Sequence, residues 1–375
     1  MPLLFTSSEQ MTIGVEMELQ LIDRKTHDLT ATAMEVFELL GSEGPRIKPE
    51  LFQAMIELNT GICRTIDDVR RDLTDTLARL RQVTSKLGVE FASSGSHPFA
   101  KHRERILYPA ERYQALIDRN RWIAQRLMIF GLHVHVGMRD GDHAIAMMNA
   151  ISHYYPHLLA LSASSPFWQG SDTGLASSRI TIFEALPTAG HPCLFTDWEG
   201  FEAFYDAMVR SRAIKNVKDI WWDIRPHPDF GTLEIRVCDA LPTLSETLAL
   251  VSLTHCLLTW LDGEYREGKK FAPPPDWILR ENKWRASRWG IEAEIVVDAA
   301  GRTRPLHEDI PHLLHILEPI ASGNGCKHEL FYIEEMLRVG LSYQRQRKVF
   351  KQSSSFEEVV SSLIDEFATD KLAIL

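Results

Sequence analysis

Three short segments alternate apolar and ionisable residues with period two, and that alternation restricts the chain to a fold holding a sheet with one polar face. They read Gly14-Val15-Glu16-Met17-Glu18-Leu19, Leu132-His133-Val134-His135-Val136 and Leu233-Glu234-Ile235-Arg236-Val237. Successive strand side chains point to opposite faces. Glu16 and Glu18 therefore share a face, as do His133 and His135, and Glu234 and Arg236. Paired in matching register, the three strands make one side of the sheet an apolar core and the other a wall of acids, imidazoles and a guanidinium. Burying unpaired carboxylates is costly, and a divalent cation offsets their charge.

The rest of the chain predicts what surrounds that sheet. A strand over 12–22 is followed by an extended segment over 47–59 that carries Glu50 and Glu57. Thr65, with Asp67 and Asp68 in the first turn, opens a helix whose apolar residues recur every three or four positions until Gly88 stops it. Helices are also predicted over 109–130, 142–164 and 197–214, and strands over 219–224 and 232–240. The Ser, Thr, Gly and Pro content of 165–196 predicts a long loop with a strand at Ile180–Phe183. Beyond Pro242 the pattern is helical, broken by Pro273–Pro275 and Gly323–Gly325. Hairpin-like gaps, as across Pro226–Gly231, favour an antiparallel α+β fold over a doubly wound parallel sheet. We read one domain over 1–375, with strands mostly within 11–240 and a helical third over 242–375.

A formal net charge of −10 argues against a general nucleic-acid binder, though a few local Lys and Arg suffice for one nucleotide. The five cysteines form no CxxC and suit a reducing, cytoplasmic compartment. The first ten residues lack a signal-peptide pattern, and no stretch reaches the ~20 apolar residues that span a bilayer. There is no P-loop, no G-x-G-x-x-G after a strand and no G-x-S-x-G elbow, so phosphates here would be held by metals and arginines.

Glu16, Glu18, Glu50 and Glu57, without matching lysines nearby, suggest ligands for a hard cation such as Mg²⁺, which takes oxygen donors and leaves positions for phosphates. A solvated strand face is the ordinary alternative. His133 and His135 on one strand face point to a metal or phosphate contact. Zinc would need further ligands that His97, His227 and His255 do not supply in pattern. Glu234 and Arg236 would otherwise be a cross-strand ion pair. Arg179 and Arg225 are candidates for gripping phosphate or carboxylate as planar forks.

Several motifs taken in order resemble the glutamate–cysteine ligase type 2 family, specifically its bacterial carboxylate–amine ligase branch. These are Gly14–Glu18, Pro49-Glu50-Leu51, Glu57–Thr60, Gly131–Gly137, Ser164–Trp168, Asp223–His227, Gly231–Arg236 and Glu281–Ala286, spread over about residues 11–345. The resemblance implies a glutamine synthetase/guanidino kinase-like curved antiparallel sheet forming a funnel, with packed helices. It implies ATP and Mg²⁺ as cofactors. Glu18, Glu50 and Glu57 would hold one Mg²⁺, and Glu16, His133 and Glu234 a second. His135, Lys218, Arg236 and Asn282 would contact the nucleotide, Arg225 and Arg236 would steady the transferred phosphoryl group, and Arg179 would clamp phosphate or substrate carboxylate. The implied reaction is amide formation through an acyl phosphate, by analogy glutamate plus cysteine, with Asp223 a guess for the amine's proton acceptor and a homodimer a family expectation. On the sequence alone, a phosphotransferase on the same fold, a metal-dependent hydrolase and a non-catalytic nucleotide-binding protein stay open.

Overall fold

The computed structural model describes residues 3–41 and 46–373; positions 1–2, 42–45 and 374–375 of the expected 1–375 unit lie outside them. In chain order the elements are β1 (Ile13–Asp23), α1 (Ala33–Leu40), β2 (Ile47–Pro49), β3 (Met55–Asn59), α2 (Ile66–Leu87), β4 (Val89–Ala92), α3 (Glu111–Asn120) and β5 (Gly131–Gly137). Then come α4 (Gly141–Ile151), α5 (Tyr155–Ser162), α6 (Ser178–Phe183), α7 (Trp198–Arg210), β6 (Ile224–His227) and β7 (Thr232–Asp239). The remainder is α8 (Leu244–Arg266), α9 (Asp276–Trp289), α10 (Leu306–Gly323), α11 (Lys327–Val339), α12 (Ser342–Ser353) and α13 (Phe356–Thr369).

The strands form one antiparallel sheet in the order β6-β7-β5-β1-β3-β2. Gln20 pairs with Met55 on one side and Ala92 on the other, so β4 lies on the β5 side of β1. The apolar partners of the alternation, including Val15, Met17, Leu132, Val134, Leu233 and Ile235, are buried in the main core. Helices α2, α4, α5 and α8 pack on that side. The chain thus has the expected α+β class, and its other sheet face is left to the charged residues.

The capping signals work as read. Thr65 accepts from the Asp68 amide, Asp68 answers the Thr65 amide, and Gly88 ends α2 at φ +68°, where a side chain would be strained. Three expectations need correction. The segment 109–130 is helical only through Asn120, with a further 3₁₀ turn over Ala124–Arg126. The 142–164 helix breaks into α4 and α5 around a 3₁₀ turn, with Pro156 in the first turn of α5. Ile180–Phe183 is the end of helix α6, not a strand. The α6 amides of Ser178 and Arg179 donate to Ser165 O and Oγ, and that tertiary anchoring overrides the β-branched pattern.

Helix α8 also departs from expectation. Its 23 residues, with a window of mean hydropathy 1.3, are long and apolar enough to cross a bilayer, but 78% of that window is buried against the rest of the protein. The helix is apolar because it lies in the core between α2, α10 and α11.

Candidate active site

The ladder brings the ionisable residues into facing rows. Glu16 pairs with His133, Glu18 with Glu57, His135 with Glu234, and Glu234 in turn with Arg225. A register shift between Ile235 and Cys238 interrupts β7, yet Arg236 still reaches both Glu234 and His133. His133 Nδ1 stands 3.1 Å from Glu16 Oε2, and its Nε2 is 3.9 Å from Glu18 Oε1. His135 Nε2 lies 3.5 Å from Glu16 and 3.8 Å from Glu234, while its Nδ1 meets Thr232 Oγ1 at 2.9 Å. Thr232 was not anticipated from the sequence. It ties down one ring nitrogen and leaves the other aimed along the wall.

The wall has an acidic half and a basic half. In the acidic half, burial pushes Glu57 up to about 7, helped by the charges of Glu16 and Glu18 and opposed by a 2.8 Å hydrogen bond from Asn59. Glu50 is raised well above the ordinary carboxylate range by burial and by Glu57 and Glu18. Lys48, at 3.7 Å from Glu57, is the one cation in ion-pair range of this corner among the described residues. Three carboxylates with so little compensation form a cation-seeking cluster.

In the basic half, Glu234 is already paired. Its Oε2 accepts from Arg225 Nε and Nη2 at 2.9 and 2.6 Å, and its Oε1 accepts from Arg236 Nη1. Burial opposes ionisation of Glu234, but the two guanidiniums outweigh it and hold the carboxyl far below its usual range. Arg225 is fixed further by donating to Ile220 O at 2.7 Å. Glu16 is likewise lowered despite burial, by its hydrogen bond with His133 and by the adjacent His135 ring.

Two trios offer donor atoms within 4.8 Å of one another, Glu16–His133–Glu234 and Glu18–Glu57–His133. Glu50 stands beside the second without joining it. Carboxylate-rich trios with a single imidazole suit a hard divalent cation. The Nε2 atoms of His133 and His135 are buried without a hydrogen-bond partner among the described residues, as are Arg236 Nε and Arg179 Nε. An unpaired buried donor or acceptor costs about 1–3 kcal/mol, so four such atoms on one wall mark a surface built to receive metal and anion.

Arg179 enters this wall from α6. Its guanidinium rests 3.3–3.5 Å from the Arg236 and Val237 carbonyls and 4.0 Å from Asp239. A side chain at position 131 would collide with it, since a Cβ there would sit 2.2 Å from Arg179 Nη2. Gly131 therefore lets the arginine reach the sheet, and its amide donates to Glu18 Oε2 at 2.6 Å.

Two predicted nucleotide contacts are not brought into the wall. Both ends of the Asn282 amide bond to the Val296 backbone, at 2.8 and 2.7 Å, so it pins α9 to the short hairpin that pairs Glu294–Val296 with Thr303–Pro305. The Lys218 side chain is exposed, and the residue contributes its carbonyl, which accepts from Trp221 and Arg225. Asp223 is fully buried with Lys283 Nζ 2.8 Å from its Oδ2, and Lys283 also reaches Glu184 at 3.2 Å. The one sequence signal for Lys283 was its place inside the Glu281–Ala286 motif.

Comparisons with known proteins place the chain in a family. The model of the glutamate–cysteine ligase family 2 matches residues 12–362. The chain belongs to that family. A protein of Bdellovibrio bacteriovorus provisionally named glutamate–cysteine ligase 2 is 47% identical, covering 98% of each chain. One of the same provisional name from Thermobifida fusca is 44% identical over 99% of this chain and 94% of its own. Among solved structures, glutamate–cysteine ligase of Francisella tularensis in complex with AMP superposes with a TM-score of 0.71 at 12% identity, covering 97% of this chain and 90% of that one. A bifunctional glutathione synthetase of Pasteurella multocida gives 0.67 at 15% identity, covering 96% and 52%. At those identities the likeness speaks for the fold alone, the α+β class with an antiparallel sheet expected from the motifs. Membership of glutamate–cysteine ligase family 2 makes the chain an enzyme, an ATP-dependent carboxylate–amine ligase of the glutamate–cysteine type.

Proposed function

We propose that this ligase joins the γ-carboxylate of glutamate to an amino-acid amine, cysteine by the names of its relatives, through an acyl phosphate, using Mg²⁺ with ATP on the polar face of the sheet. The observation that carries the reading is the convergence of an uncompensated carboxylate cluster with buried, unpartnered imidazole and guanidinium nitrogens on one wall. Glu18, Glu50 and Glu57 would hold one Mg²⁺, and Glu16 with His133 a second, with Glu234 joining only by sharing the oxygen that Arg236 occupies. Bound Mg²⁺ supplies charge neutralisation between the triphosphate and the attacking carboxylate.

The remaining work falls to this chain's own side chains. Arg225 and Arg236, clamped on Glu234, present fixed positive charge that need not reorganise as charge shifts onto the transferred phosphoryl oxygens. Arg236 Nε and Arg179 Nε remain free to donate to phosphate or carboxylate oxygens. His135, held through Thr232, offers Nε2 to the phosphates. The amine then attacks the acyl carbon, loses a proton and expels phosphate. Asp223 stays a candidate acceptor for that proton, with its Oδ2 held by Lys283.

The test is a screen of amino-acid pairs for Mg·ATP-dependent ADP release, with product masses read directly. An amide whose formation needs both partners supports the proposal. A stoichiometric phosphorylated product formed without any amine, or turnover without ATP, would replace it with a phosphotransferase or hydrolase.

A further inference from the structure

The β6–β7 hairpin extends the charged wall by one more row and lays an aromatic ring over its end. Along β6, Arg225 and His227 share the polar face and pair across to Glu234 and Thr232. The wall therefore continues past Glu234 to His227 and Thr232, and Thr232 is the residue that holds His135. Phe230 sits in the turn beyond His227. Its ring stacks on the His227 imidazole, centroids 4.1 Å apart and planes 6° from parallel, and meets the His135 ring edge-on at 5.9 Å. His227 is 4% exposed and Phe230 54%, so the open face of the stack belongs to the phenylalanine.

A single exposed aromatic ordinarily needs no explanation. This one is held in place. Phe230 N donates to His227 O at 3.2 Å, and Ser8 Oγ donates to Phe230 O at 2.6 Å. The Thr6 amide donates to Pro228 O at 2.9 Å. Gly231, at φ +65°, lets the N-terminal segment come this close, since a Cβ there would sit 1.8 Å from Thr6 O. Next to the ring, His227 Nδ1 is buried with no hydrogen-bond partner among the described residues, as are the Nε2 atoms of His133 and His135. A fixed, half-exposed ring among imidazoles with unsatisfied nitrogens is built to take the flat face of a ligand.

The order of groups along β5 says which part of a ligand reaches it. At one end the Gly131 amide donates to Glu18, and Arg179 fills the space a side chain at 131 would need. His133, shared by both donor trios, comes next, then His135. Gly137, opposite Thr232, closes the row. From His133 to Gly137 the strand runs about 13 Å. Phosphates held at His133 and His135 thus leave the ribose and base of a nucleotide at the Phe230 end and a carboxylate substrate at the Arg179 end. The aromatic residue at that other end, Phe183, has no face to offer. It is buried, stacked on Trp221, with the Arg179 and Arg236 guanidiniums 5.7 and 5.9 Å from its centre.

We propose that Phe230, backed by His227, is the platform on which the nucleobase of ATP stacks, and that it sets affinity for the nucleotide through the base alone. This rests on the reading of the polar face as the Mg·ATP site. An aromatic platform grips a base by its π face and adds nothing to the grip on phosphate, so a ligand made of the phosphates alone separates the two contributions.

The test is calorimetric titration of the full chain with Mg·ATP and with magnesium tripolyphosphate, in the wild type, Phe230→Ala and Phe230→Trp. Phe230→Ala should weaken ATP roughly tenfold or more and leave tripolyphosphate unchanged, while Phe230→Trp, which keeps a flat ring, retains ATP. An ATP affinity unchanged in Phe230→Ala, or a loss shared equally by tripolyphosphate, overturns the platform. A wild-type chain that binds neither ligand removes the polar face as the triphosphate site, and the platform with it. Failure of Phe230 alone leaves wild-type binding intact, so the two failures are told apart.

Discussion

At the scale of single residues, two glutamates on the same wall should respond oppositely to loss of charge. Glu57 sits among like charges with little compensation, so Glu57→Gln should raise the melting temperature of the metal-free enzyme while lowering Mg·ATP turnover by about a hundredfold or more. Glu234 is the counter-ion of two buried arginines, so Glu234→Gln should destabilise the fold by about 3–5 kcal/mol as well as abolish ADP formation. Thermal melts and ADP assays on both variants check the contrast; a stabilising Glu234→Gln would mean the pairing is misassigned. Sequence alternation put Glu234 on the polar face and left Glu57 in an extended segment, and it could not show their different surroundings, because the difference lies in Arg225, nine residues from Glu234 along the chain and across a hairpin. Another residue reports on pH. His97 is fully buried, its Nδ1 accepting from the Ala100 amide and its Nε2 2.9 Å from His27 O, and burial holds it down to about 4. The unfolded chain, titrating near 6.5, binds the proton first. Stability from this group is therefore present above about pH 6.5 and is lost as pH falls towards 4, by about 3 kcal/mol in full. His97→Asn should lower stability at pH 7 yet flatten that slope in urea titrations at stepped pH.

At the scale of elements, what was legible was what is local. Helix α2 could be read from end to end because its stop signals, its cap and its apolar stripe all lie within its own residues. Thr65→Ala should cost about 1 kcal/mol in chemical denaturation, with no effect on turnover. Helix α6 could not be read that way. Its residues Ile180-Thr181-Ile182 favour a strand, and only the Ser165 contacts, brought by a distant loop, turn them into a helix that delivers Arg179. The split between α4 and α5 had its cue in Pro156, but the helical pattern continued through it. Asn282 and Lys218 stand off the charged wall for a similar reason, since polarity near a motif does not say which way a side chain finds its partner.

For the whole molecule, the helices of the C-terminal third are tied to one another by buried charge as well as by apolar packing. Arg345 of α12 donates to Glu246 of α8 at 3.0 Å and to Glu366 of α13 at 2.6 Å, all three buried. Arg345→Ala leaves two buried carboxylates facing each other and should cost about 3–5 kcal/mol. Equilibrium unfolding in urea measures it, and a loss below about 1 kcal/mol would show that apolar packing alone seats these helices. The alternation of Gly14–Leu19, Leu132–Val136 and Leu233–Val237 by itself determined which residues share a face, because side-chain direction along a strand is a property of neighbouring bonds. Only the tertiary structure decided which strands adjoin, which carboxylates go uncompensated and that Glu234 is already paired. Those are contacts between residues far apart in the chain, set by the packing of the whole sheet and invisible to any local pattern.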